Sequence, residues 1–127
     1  MTMRLFKRAA ASEPVGFDLR GLDSTRVRVK GTVIYVPDAL REDVGGTVYT
    51  LRREPSNKHD RNAIVVIWEG RKIGYVSATK AALLAPLLDE IGAGDFIVNG
   101  MGAYTNSTRL WVDLPKVPAL RGLVRSL

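Results

Sequence analysis

The run Ala63-Ile64-Val65-Val66-Ile67-Trp68 constrains the fold of this chain more than any other segment. It is apolar on both faces of an extended backbone, so it reads as a buried strand. Glu69-Gly70 follows as a two-residue turn, and residues 71–76 return as the second strand of a hairpin. Residues 26–36 alternate at first, with Val27 and Val29 on one face and Arg26, Arg28 and Lys30 on the other. Gly31 interrupts that strand as a bulge or sharp bend. Strict alternation buries Tyr35 beside Val27 and Val29; a bulge reverses it. Residues 47–53 form another strand, and residues 96–104 and 108–114 a second hairpin around Thr105-Asn106-Ser107. Helical composition occurs at residues 77–91, with Ser77 or Thr79 as cap and Gly92 as terminator. Pro86 predicts two short helices or one kinked helix.

Six strands with a helical insert before the last two predict a mainly β chain: a small, OB-like, six-stranded antiparallel barrel. Closing the sheet removes vulnerable edges. A parallel α/β fold is excluded because helices do not alternate with strands. At 127 residues there is room for one domain. Residues 1–25 read as an N-terminal arm that can dock in part through Leu5, Phe6, Phe17 and Leu19, 26–114 as the domain and 115–127 as a tail punctuated by Pro115, Pro118 and Gly122; such termini are often mobile.

With no Cys and a single His, thiol catalysis, disulfides and Cys-type zinc sites are excluded, and no cofactor or metal is expected. No window approaches the ~20 apolar residues of a membrane span. The first residues lack a secretory hydrophobic region, so a soluble, unprocessed, cytoplasmic chain is expected, with no membrane partner. Nineteen Lys and Arg against thirteen Asp and Glu give +6. With a pI of about 10.0, that balance favours a polyanionic partner.

The segment from Leu51 to Ile64 is the richest in chemistry. A strand ends in Arg52 and Arg53, a loop of donors and acceptors follows, and a buried strand begins, so rigid elements hold the loop on both sides. Arg53, Lys58 and Arg61 can bind phosphate; Asn57, His59 and Asp60 can address bases or sugars. Asn57, Asp60 and Asn62 can equally bond their own backbone as turn residues. Arg52 and Arg53 have opposite parity, so they should do different jobs. In Gly70-Arg71-Lys72-Ile73-Gly74-Tyr75-Val76, Gly74 permits close approach of a ligand or another backbone, Tyr75 reads as core or platform, and Lys72 as solvated face or phosphate contact.

Val29-Lys30-Gly31-x-x-x-Tyr35, Leu51-x-Arg53-Glu54-Pro55-x-Asn57-x-x-Asp60-x-Asn62-Ala63-Ile64, Gly70-x-x-Ile73-Gly74-Tyr75-Val76 and Leu84-Ala85-Pro86-Leu87-Leu88-Asp89 together resemble a HIRAN domain across residues 26–114. The resemblance implies an OB-like barrel that binds single-stranded DNA. It further implies capture of a 3′-hydroxyl end, in DNA repair or replication-fork processing beside a helicase or nuclease partner. By that resemblance Asp60 matches an end-sensing Asp, Asn57 the polar position beside it, and Tyr35 an aromatic clamp; Arg53, which falls in the matched block, should support the loop around Asp60, with Arg52 more exposed. His59 falls where those members have a Tyr, and Tyr75 where a His sits. Val33 and Ile34 stand where a basic residue precedes the clamp, and Lys80 matches a phosphate-binding Lys after the strand. The candidate basic track is Arg26, Arg28, Lys30, Arg52, Arg53, Lys58, Arg61, Arg71 and Lys72.

On this reading the chain is not an enzyme. A second reading is a protein-interaction adaptor that binds a peptide or partner enzyme through a groove or edge strand. A third, a metal nuclease using Asp38, Asp60 and Asp113, has no support in their spacing.

Overall fold

The computed structural model describes residues 14–40, 43–102 and 109–127. Its strands are β1 (Phe17–Asp18), β2 (Ser24–Arg28), β3 (Val48–Arg53), β4 (Ile64–Trp68), β5 (Arg71–Tyr75), β6 (Asp95–Met101) and β7 (Trp111–Pro115). The helices are α1 (Thr32–Tyr35), α2 (Ala78–Ile91) and α3 (Val117–Ser126), with a 3-10 turn at Asp38–Leu40. The sheet runs β2-β7-β6-β3-β4-β5, antiparallel throughout, and β1 adds a short parallel pair to β6. The mainly β, antiparallel, barrel-like architecture is thus the one expected, with β1 as an unforeseen seventh strand.

The apolar run behaves as its composition requires. Ile64, Val65, Val66 and Ile67 are all buried, and β4 lies between β3 and β5. Glu69 and Gly70 both take positive φ, 47° and 79°, which is how a two-residue turn matches the twist of its flanking strands.

Backbone bonding joins the two ends of the sheet. Beyond β2, Val29 N still donates to Leu110 O at 2.8 Å. One residue later the chain changes partner: Lys30 N donates to Tyr75 O at 2.8 Å, and Tyr75 N returns to Lys30 O at 2.9 Å. The bridge ties the β2 end to β5 and closes the sheet on itself. Gly74 makes this possible, because a Cβ there would lie 2.4 Å from Lys30 O. The close approach predicted at Gly74 is therefore that of another backbone.

The core lies inside this curved sheet. Tyr49 and Leu51 from β3, Ile64 and Val66 from β4, Ile73 from β5 and Phe96 and Val98 from β6 point into it. One side is covered by α2 through Ala81, Leu84 and Leu88, a helical repeat of three and four residues. Ser77 caps α2, its side chain accepting from Lys80 N at 3.4 Å, and Gly92 ends it in the left-handed conformation.

Three expectations need correction. Residues 26–36 are not one strand: at Gly31 the φ is +79°, and the chain turns into the single helical turn α1, so Tyr35 obeys no strand alternation. Of the two outcomes expected at Pro86, two short helices do not occur: α2 is one span with Pro86 inside it. Ala82 and Pro86 both lie on its exposed side, where solvent can satisfy the carbonyl that proline leaves without a donor. Residues 117–126, expected as a mobile tail, form α3, which buries Leu120. The arm docks where expected at Leu19, which is buried and whose N–H donates to Ile97 O at 2.9 Å. The turn at 105–107 lies outside the described residues.

Candidate functional site

Strand parity separates the two arginines at the end of β3. Arg53 shares the inward face of Tyr49 and Leu51, and its side chain is only 11% exposed; Arg52 points outward and is 52% exposed. The Arg53 guanidinium donates to both Asp89 carboxylate oxygens (2.8 and 3.2 Å), to Ala63 O (2.8 Å) and to Arg61 O (2.9 Å). It fastens the far end of the loop to α2, the supporting role expected of Arg53. Arg52 forms a surface pair with Asp95 at 2.7 Å.

The loop itself is built by side chains replacing backbone partners. Asn57 Oδ1 accepts from the N–H of His59 (2.9 Å) and Asp60 (3.1 Å), and Asp60 Oδ1 accepts from Asn62 N at 2.8 Å. Both residues therefore do the turn chemistry open to them. Asp60 Oδ2 has no protein partner among the described residues. Lys58, His59 and Arg61 project from the loop, exposed.

Asn57 also faces the other way. Its Nδ2 donates to Glu54 Oε1 at 3.0 Å, and the same oxygen accepts the Tyr75 hydroxyl at 2.6 Å. Lys72 Nζ lies 3.9 Å from Glu54 Oε2, 4.5 Å from the centroid of the Tyr75 ring and 4.8 Å from that of Tyr35. The two rings are 5.9 Å apart and tilted by 58°. Three residues singled out in the sequence, Tyr35, Lys72 and Tyr75, thus form one aromatic and cationic cluster. Glu54 and Asn57 join it to the loop that carries Asp60.

Glu54 was missed. It lies inside the quoted block, but its meaning depends on Tyr75, 21 residues further on. Burial alone would raise its pKa; hydrogen bonds from Tyr75 and Asn57, with Lys72 and Arg52 nearby, outweigh that and hold it below the ordinary glutamate value. The Tyr75 hydroxyl beside it and then Glu54 hold Lys72 above the usual lysine value, against burial. Burial and the Glu54 carboxylate raise the Tyr75 phenol, so it stays a neutral donor.

These directions fix a pH dependence. Because Glu54 titrates lower in the folded state than in the unfolded one, its contribution is complete above about 4.5, its ordinary value, and fades as pH falls through the lower folded value. Acid titration followed by the Tyr75 ring signals in NMR should show the Tyr75–Glu54 contact loosening only below that value. Loosening between pH 5 and 7 would contradict the assignment.

The remaining candidates divide. Arg26 is engaged by Asp113 at 2.8 Å, so with Arg52 and Arg53 it leaves the basic track for intramolecular pairs. Arg28, Lys30, Lys58, Arg61 and Arg71 are exposed with no acidic partner among the described residues. Lys80 lines a different concavity, between α2, α3 and the β2–β7 pair. Val33 and Ile34, immediately before Tyr35, are each 75% exposed. Among the described residues no three His, Asp or Glu side chains gather as a metal site, and no helix is long and apolar enough to cross a membrane.

The solved HIRAN domain of human HLTF (crystal structure) is similar over 81% of this chain and 87% of that one, at 21% identity with a TM-score of 0.53. An NMR structure of the HLTF HIRAN domain matches at 20% identity over 82% of this chain and 91% of that one, with a TM-score of 0.41. The crystal-structure match supports the fold. No curated protein gave a significant match. The HIRAN domain family model matches residues 22–114, well over half of the 127 residues, and the chain belongs to the HIRAN domain family.

Proposed function

We propose that this domain binds single-stranded DNA at the Tyr35–Lys72–Tyr75 cluster and addresses the 3′-hydroxyl end through the adjoining loop. HIRAN domains in general are DNA-binding modules. The observation that carries the reading is the lysine ammonium within 5 Å of two tyrosine rings, with the exposed Lys30 bridged through its backbone to Tyr75. Single strands are held by such a combination: rings for bases, cations for phosphates. Val33 and Ile34 offer apolar contact where a second cation is absent. Asp60 fits a donor-bearing end, because a carboxylate repels phosphate and makes sense against a ligand only where that ligand offers a hydrogen. The domain acts without catalysis of its own, delivering or targeting a helicase or nuclease partner in repair or fork processing.

Fluorescence anisotropy with a short single strand and its duplex should show preference for the single strand and a steep loss of affinity with salt. Tyr35→Ala should weaken binding by roughly five- to a hundred-fold, the loss of one stacked base at ~1–3 kcal/mol. Equal affinity for duplex, or indifference to Tyr35→Ala, would reject this site.

A further inference from the structure

We propose that the concavity between α2, α3 and the β2–β7 pair is a docking groove for an acidic peptide carrying apolar anchors. This groove is separate from the proposed nucleic-acid site, since none of Tyr35, Lys72 and Tyr75 lines it; Lys80, which the resemblance matched to a phosphate contact, does. The cavity measures about 300 Å³, the lower end of the range in which ligand sites occur. Its floor is aliphatic, with Val27, Leu84, Leu114 and Val117 among its lining. At its lip Leu83 is 52% exposed, a large apolar side chain without cover.

The charged residues that line this groove have one sign. Lys80 and Lys116 line the groove, and no carboxylate does. Lys80 has no acidic partner among the described residues. Lys116 has Asp23 at 3.4 Å, but both side chains are more than half exposed, so that pair is weak and exchangeable. Both lysines stand where a helix begins: Lys80 in the first turn of α2, Lys116 as the N-cap of α3. Neither first turn carries an acid, so the helix ends add to the positive potential.

An occupant must therefore bring carboxylates to the rim and apolar side chains to the floor. A nucleic acid matches the rim and not the floor, which has no ring for a base to stack on. A second copy of this chain would bring its own net charge of +6 against two lysines. An acidic partner segment with hydrophobic anchors matches both.

The test uses the full chain and a fluorescein-labelled decapeptide of four aspartates followed by a segment with one leucine and one phenylalanine. Binding should move the backbone amide signals of Leu83, Leu84 and Val117. Replacing the aspartates by asparagine, or the two anchors by serine, should each weaken it at least ten-fold. Leu83→Asp should weaken peptide binding at least ten-fold while changing affinity for a single-stranded oligonucleotide less than two-fold. Should Leu83→Asp impair folding, Lys80→Glu supplies the second measurement: it should lose the aspartate peptide and gain a peptide with lysines in their place. The proposal is overturned by equal binding of the anchor-less peptide, by signals moving only around Tyr75, or by no binding at millimolar peptide. Displacement of the peptide by the oligonucleotide from these same residues would also overturn it. So would a self-association abolished by Leu83→Asp, which would give the groove to a second copy.

Discussion

Arg53→Ala should lower the unfolding free energy by about 2–4 kcal/mol, while Arg52→Ala, one residue away, should cost less than about 1 kcal/mol. The chemistry deleted is identical; the surroundings are not. Asp89 is 54% exposed and can turn to water once Arg53 is gone. The Ala63 carbonyl belongs to a buried residue and loses a charged donor, as does the Arg61 carbonyl that fixes the loop end. Arg52 releases only a surface pair. For a chain of this length the Arg53 variant should melt roughly 10 °C lower. Lysine at position 53 should recover little of the loss, since an ammonium cannot serve a carboxylate and two carbonyls in the geometry of a guanidinium fork. Equal melting temperatures for the two alanine variants would refute the parity argument.

A strand ending in a 3′-phosphate should bind about ten- to a hundred-fold more weakly than the same strand ending in a 3′-hydroxyl. Asp60 Oδ1 is occupied by Asn62 N, which leaves Oδ2 as the acceptor for a terminal hydroxyl. A phosphate removes the donor and sets charge against charge, and a lost hydrogen bond to a charged group is worth roughly 1.5–3 kcal/mol. Asp60→Asn is the informative variant because its side-chain oxygen can still accept from Asn62 N and preserve the turn. It should narrow the difference between the two ends more than it lowers binding to internal sequence. Competition at one salt concentration measures both. A wild-type domain indifferent to the 3′ group would leave Asp60 as a turn residue alone.

How much of this was legible in the sequence depends on how far each signal reaches along the chain. The hairpin at Glu69-Gly70, the buried β4 run and the opposite orientations of Arg52 and Arg53 follow from period and parity, which are local; that Arg53 is the one to support the loop came from the matched family block. The placement of Tyr35 stayed open because alternation presumes an unbroken strand, and Gly31 serves equally as a bulge or as the left-handed entry to a helical turn. Pro118 was taken as punctuation, whereas a proline in the first turn of a helix starts one. Leu120, Leu123 and Val124, spaced three and four apart, carried the rest of that signal. Glu54, Asn57 and Asp60 could be seen as a cluster of polar residues in one loop. That Glu54 turns towards Tyr75 while Asp60 keeps one oxygen for Asn62 depends on barrel closure, which brings distant segments together.

The Lys30–Tyr75 bridge has a thermodynamic consequence. It holds the barrel's last seam with two backbone hydrogen bonds, where the β3–β6 ladder next to the core pairs five residues. Tyr75 supplies the backbone of that seam and one ring of the proposed binding cluster. A ligand that requires the Tyr75 ring in place binds only the closed seam, and by mass action it must suppress seam opening in proportion to its concentration over its dissociation constant. Hydrogen exchange at the Lys30 and Tyr75 amides should then slow as oligonucleotide is added, while exchange in the β3–β6 ladder stays unchanged. Unchanged exchange at the seam in the bound state would place the ligand elsewhere. The weakest closure of the barrel thus doubles as its occupancy gauge.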